Sequence, residues 1–166
     1  MDDANTNGKP VEASRSILSA LMLPQYTNPF GSIHGGVILK HVDEAAAMAA
    51  MRHCRANAVT VSIDQVHFRE PTRVGELVTF KASINLVGRT SMEAGVRVEA
   101  ENLITGQVRH TASAYLTFVA LDDNGRPAPV PPLILETELD RRRNREAEAR
   151  RQRRIACCLE EGSTAS

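Results

Sequence analysis

The sequence predicts an α+β domain in which one antiparallel sheet curls around a single long helix. From Val37 to about His53, apolar residues recur at helical spacing (Ile38, Val42, Ala45, Ala46, Ala49). From Val59 to Leu121 the period changes to two, in four successive runs. No helical pattern interrupts those runs, so the strands are segregated from the helix, without the βαβ alternation of a parallel sheet.

Residues 1–13 read as a disordered tail of Asn, Gly, Pro and acidic residues without periodicity. Ser16 to Leu23 (SILSALML) is a first strand or a lead-in, and Pro24, Asn28, Pro29, Gly31, Gly35 and Gly36 mark a long turn-rich loop. In the helix that follows, the run AAAMAAM matters for its small side chains, which let a curved sheet wrap it closely. A solvent-facing helix would carry more Lys and Glu.

After the helix, Val59, Val61 and Ile63 alternate with polar residues. The phase then slips to Val66 and Phe68, which predicts a bulge near Asp64-Gln65. The next strands are Val78 to Leu86, Met92 to Ala100 and Val108 to Leu121, expected as an antiparallel meander whose open edges invite pairing with a second copy. PAPVPP (Pro127 to Pro132) is an extended exit. The domain is therefore expected over 14–132, and 133–166 as an Arg-rich, partly helical, peripheral tail whose arginines are solvated and paired with Glu146 and Glu148.

Totals narrow the function. The 166 residues suit one domain, and 42% hydrophobic residues suffice for a core. Lys+Arg 20 balances Asp+Glu 20, which argues against a dedicated nucleic-acid binder. No apolar run has the length of a membrane span, and the polar, acidic start lacks the features of a signal peptide, so the expectation is a cytoplasmic protein. Cys54, Cys157 and Cys158 contain no CxxC pair and are expected as reduced thiols. The histidines at 34, 41, 53, 67 and 110 show no metal-ligand spacing, and no GxSxG, P-loop or GxGxxG motif is present, so neither metal nor cofactor is expected.

The stretch that carries chemistry is TNPFGSIHGGVILKHVDEAA, Thr27 to Ala46. Hydrolysis at a carbonyl needs a carboxylate or similar group to activate water or attack directly, and donors for the oxyanion. Gly35-Gly36 opens the helix, where backbone N–H groups are free, the helix dipole is positive and a carbonyl can approach the backbone. Asp43 lies two turns further on, beside apolar Val42, Ala46 and Ala47, and is expected to be partly desolvated.

Together these residues resemble the hotdog-fold acyl-CoA thioesterases: an Asn, a Gly three residues later, a Gly-Gly pair, and an Asp fifteen positions after the Asn (Asn28, Gly31, Gly35, Gly36, Asp43). TVSIDQVHFREPTRVGELVTFKA, GRTSM and AYLTFVALDDNGRPAPVP are similar to the cytosolic and brain-type acyl-CoA hydrolase branch, and the likeness covers about residues 15–155. The resemblance implies Asp43 as general base or nucleophile, Asn28 as the residue that holds water or carbonyl, and the Gly36 amide as oxyanion donor. It implies that Asn28 and Asp43 of one site come from opposite subunits, and self-association as dimers, further as a trimer of dimers. The implied substrate is a medium- to long-chain fatty acyl-CoA. Thr60 falls where the branch often has a hydroxyl, and Gly88, Arg89, Thr90 and Ser91 resemble the segment along the CoA chain. His34 and Gly35 join them as substrate-binding candidates. His34 departs from the aromatic residue common in that branch, which leaves aryl-CoA open as a substrate class. Two other readings stay open: a CoA-binding regulator without turnover, and a hotdog hydratase. The hydratase pattern needs an Asp upstream of the His, and no Asp or Glu lies between Leu21 and Gly36.

Overall fold

The structure is a computed structural model that describes residues 7–164, with side chains through residue 156. One helix, α1 (Gly35–Cys54), lies against a five-stranded antiparallel sheet. Its buried face is Ile38, Val42, Ala45, Ala46, Ala49, Ala50 and His53, and four alanines in that set let the sheet close tightly on the helix. The helix begins two residues before the expected start because His34 caps it. It ends where Arg55 adopts a left-handed conformation (φ 56°) and returns its N–H to the Met51 carbonyl.

The strands are β2 (Ser16–Leu21), β3 (Asn57–Phe68), β4 (Glu76–Val87), β5 (Ser91–Asn102) and β6 (Val108–Leu121), after a two-residue β1 (Lys9–Pro10). Their order is β2-β4-β5-β6-β3, which corrects the expected meander. β4, β5 and β6 do form one. β3, however, pairs with β6 at the far edge, and residues 69–75 carry the chain back across to β4. That crossing is about 14 Å at three strand spacings, within reach of seven extended residues. Alternation shows which face of a strand is buried and carries no information about its partner. The bulge expected near Asp64 is present between Ile63 and Gln65, and a second register shift lies between Thr60 and Ser62. Phe80, Phe118, Met22, Ile84, Met92 and Leu116 are the largest fully buried apolar side chains between sheet and helix.

Both ends of the chain depart from the expected tails. Residues 1–6 of the tail expected through residue 13 lie outside the described residues, and residues 9–13 of it take part in the fold. β1 pairs in parallel with β7 (Leu133–Ile134), and Val11 and Ser14 are buried. Ser14 Oγ accepts the Ile84 amide (3.0 Å), a donor beyond the β2–β4 ladder, which ends at Ser16 and Ala82. A few buried atoms hold this segment, and they leave no periodic trace.

The second helix, α2 (Glu138–Thr164), opens with a reciprocal cap: Thr137 N–H donates to Asp140 and the Asp140 N–H to Thr137 Oγ1. It is docked on the face of the sheet opposite α1, which corrects the peripheral tail. Ala147 is fully buried, Asn144 donates to the Asn85 carbonyl (2.8 Å), Arg150 pairs with Glu93 (2.7 Å), and Arg154 pairs with Asp64. The expected pairs Arg142–Glu146 and Arg151–Glu148 are also present, with half-exposed side chains. Cys54 is a free thiol, while the side chains of Cys157 and Cys158 lie outside the described residues. No helix among the described residues is long and apolar enough to cross a membrane.

His53 joins the helix to the exit segment. Its Nε2–H donates to the Pro131 carbonyl (2.9 Å), and its buried Nδ1 has no hydrogen-bond partner among the described residues. Burial pushes its pKa below the ordinary value of 6.5; the Pro131 carbonyl opposes this and Lys9 adds to it. With the folded pKa below the unfolded one, the stability this group contributes is complete above the unfolded value and is lost as pH falls toward the folded one. His53→Gln should therefore flatten the fall in stability below pH 6.5. Urea midpoints measured at stepped pH check this.

Candidate active site

The structure brings Thr60 and Asp43 together. Thr60 Oγ1 donates to Asp43 Oδ1 at 2.6 Å, from β3 to the face of α1 beside it. Asp43 is half-buried and Thr60 exposed, so the carboxylate keeps access from outside the single chain. The neighbouring Glu44 is a poor alternative. It is exposed and pairs with His41 (2.9 Å) and Lys40 (3.6 Å), and the His41 hydrogen bond, with Lys40 assisting, holds its pKa below the carboxylate range. Among the described residues the edge of β3 away from β6 has no strand partner, and Val59, Val61 and Ile63 on β3 are 44%, 55% and 42% exposed.

The start of α1 is a second cluster. His34 Nδ1 accepts the Gly36 amide N–H at 2.9 Å, so the donor expected for an oxyanion is engaged by the cap in this conformation. The N-cap preference for Ser, Thr, Asp and Asn does not flag a histidine, which is why the sequence left Gly36 free. Space is tight at Gly36, where a Cβ would lie 3.1 Å from His34 Nδ1, whereas a Cβ at Gly35 would make an ordinary 3.4 Å contact with the Phe68 ring. A cleft of about 330 Å³ opens here between Ile33, Ile38, Phe68, Pro71 and Thr72. Sequence reasoning did not single these residues out; Phe68 at the end of the slipped alternation was the available signal.

Asn28 does not meet Asp43 through any hydrogen bond in this chain. Its Oδ1 accepts the amides of Phe30 (3.0 Å) and Ser32 (3.3 Å), and its Nδ2 donates to Ser32 Oγ (2.9 Å). The loop it organises puts Phe30 at its tip, 94% exposed. From Gly36 to Asp43 the helix rises about 10 Å, so one small carbonyl does not touch both in one chain.

The turn of Gly88, Arg89, Thr90 and Ser91 lies at the Asp43–Thr60 end of the sheet. Register puts Ser91 opposite Val119 and Val59, one row from Met92, Phe118 and Thr60. The turn is fixed by the Gly88 N–H to the Ser91 carbonyl (2.7 Å), and by the Thr90 and Arg89 carbonyls, which accept Ala120 (2.9 Å) and Val130 (3.0 Å). Arg89 is exposed.

Residues 30–107 match the Thioesterase superfamily. The chain is 39% identical over 125 residues to the uncharacterized acyl-CoA thioester hydrolase YkhA of Bacillus subtilis, covering 75% of this chain and 73% of that protein. It superposes on a hexameric acyl-CoA thioesterase with a TM-score of 0.88 at 41% identity, covering 92% of this chain and 97% of the other. It also superposes on an acyl-CoA hydrolase from Staphylococcus aureus in complex with butyryl-CoA, CoA and CoA disulfide, with a TM-score of 0.87 at 33% identity, covering 94% and 95%. Structures of that hydrolase exist with alanine in place of an aspartate, an asparagine and a threonine. With the sheet, the helix it wraps and these likenesses in agreement, the chain belongs to the hotdog-fold acyl-CoA thioesterase family.

Proposed function

We propose that this enzyme hydrolyses fatty acyl-CoA to free acid and CoA in a site assembled from two copies of the chain. The observation that carries the reading is the separation of the two clusters. The carboxylate sits with Thr60 at the outer edge of β3, while Gly36 opens the helix about 10 Å away along the axis and Asn28 is engaged in the loop before it. A two-fold pairing of β3 edges covers Val59, Val61 and Ile63 and lets each helix start complete the site of the other copy.

In that site Asp43 removes a proton from water, or attacks the carbonyl carbon itself. By either route the C–S bond breaks, the sulfur leaves as thiolate and takes up a proton, and water supplies the acid's second oxygen. Thr60 orients the carboxylate. The partner's Asn28 holds the water or carbonyl, and the Gly36 amide receives the oxyanion once the His34 ring turns aside. Arg89, Thr90 and Ser91 lie along the CoA arm, and the apolar lining of the 330 Å³ cleft supports an acyl chain of medium to long length. The hexameric relatives support assembly into trimers of such dimers.

Release of free thiol from acyl-CoAs graded from acetyl to palmitoyl tests the activity; absence of turnover on every chain length would refute it. The shared site has its own test. Asn28→Ala and Asp43→Ala homomers should each be nearly inactive. Co-expressed, they form mixed dimers in which one site carries both lesions and the other neither, so about a quarter of wild-type activity should return at random mixing. If both residues act within one chain, every site keeps a lesion and nothing returns.

A further inference from the structure

We infer that the cleft between α2 and the face of the sheet opposite α1 binds a polyphosphate group. The cleft holds about 350 Å³ and its walls are unusually one-signed. Six cations line it: Arg69, Lys81, Arg97, Arg142, Arg143 and Arg150. Three carboxylates answer them. Glu99 is shared by Lys81 (2.5 Å) and Arg97 (2.7 Å), Glu146 meets Arg142 at 3.8 Å, and Glu93 holds Arg150. Six cations less three carboxylates leaves an excess of three, and Arg69 and Arg143 have no ion-pair partner among the described residues.

The field is felt within the cleft. His110, which lines it, has its pKa pushed down first by burial and then by Arg97, with Arg69 adding to the effect. A folded protein that gathers like charges around a concave surface forgoes stability unless an anion joins them. The neutral lining residues Ser83, Ser113 and Tyr115 offer hydroxyl donors. Side chains are held off one part of the floor, since any Cβ at Gly95 would overlap the Asn85 amide. Planar guanidiniums with hydroxyls between them suit phosphate oxygens, which are approached by two N–H groups at once. The catalytic reading does not use this cleft. Arg69, however, also lines the apolar cleft at the start of α1, so a bound anion lies one side chain from that site.

The chemistry fits two sources, a free nucleotide and the diphosphate of CoA itself, and one experiment separates them. Inorganic triphosphate is titrated calorimetrically into the full-length protein at low ionic strength. Wild type should bind with an affinity that falls steeply with salt. Arg97→Gln/Arg143→Gln should bind about tenfold or more weakly. Arg69→Gln/Arg143→Gln, which leaves Glu99 its partners, should do the same with an unchanged melting temperature. No heat of binding at millimolar triphosphate, or equal affinity in wild type and both variants, overturns the inference. The titration needs no turnover, so its failure is separate from failure of the thioesterase reading. Where binding is present, triphosphate that competes with acyl-CoA identifies the substrate's own phosphates, and inhibition or activation without competition identifies a nucleotide effector.

Discussion

Asp43→Asn should lower kcat by about 10²–10⁴-fold, the range for losing a positioned acid, base or nucleophile. The amide keeps the size of the side chain and can still meet the Thr60 hydroxyl, now 2.6 Å from Oδ1, so helix and strand stay in place. What is lost is the ability to take a proton or attack a carbonyl. Steady-state thiol release together with a thermal melt separates this from misfolding: a native melt with collapsed turnover is the expected pair of results. Turnover near wild type would remove Asp43 from the chemistry and direct attention to Glu44, the other carboxylate on that turn.

Arg150→Met should cost the fold about 3–5 kcal/mol, the penalty for leaving one member of a buried ion pair alone. Glu93 is only 3% exposed and Arg150 10%, and the guanidinium lies 3.6 Å from the centre of the Tyr115 ring. With Arg150 gone, Glu93 keeps the Asn85 amide (3.2 Å) and little else. Relief comes only if α2 lifts away and lets water in. Urea unfolding of the single variant and of Arg150→Met/Glu93→Met should show most of the loss recovered in the pair, because a matched apolar replacement removes both desolvated charges. A single variant that unfolds at the wild-type midpoint would show that α2 is not anchored there. A chain cut after Pro132 loses Arg150 too but returns Glu93 to water, so its penalty is the smaller one of the helix's own packing.

These two sites differ in how far the sequence disclosed them. Period 3.6 over Val37–His53 and period 2 over β4 to β6 reflect burial within a single element and could be read directly, whereas in β3 the apolar alternates Val59, Val61 and Ile63 are the exposed set. The phase slip at Asp64 was visible for the same reason. The place of β3 beside β6 was not visible, because partner choice depends on residues 44 to 64 positions away. α2 was misjudged on similar grounds. Among its described side chains the only fully buried apolar one is Ala147, and its attachment runs through Arg150 and Arg154 to Glu93 and Asp64, charges that look solvated in one dimension. At the site, Asp43 and Thr60 were nominated by resemblance and meet in space. The engagement of Gly36 by His34 depends on a ring orientation that no residue pattern encodes.

The remote pairing of β3 also orders events during synthesis. The ribosome releases α1 and β3 first, yet β6, the strand that completes this edge of the sheet, ends at Leu121. At about 5–20 residues per second, some fifty residues pass before the ladder can close, an interval of several seconds. Throughout it β3 has no neighbouring strand, and the backbone groups that will pair with β6 stand open. A translational pause between residues 68 and 108 lengthens that exposure, whereas a pause after Leu121 finds the sheet already able to zip.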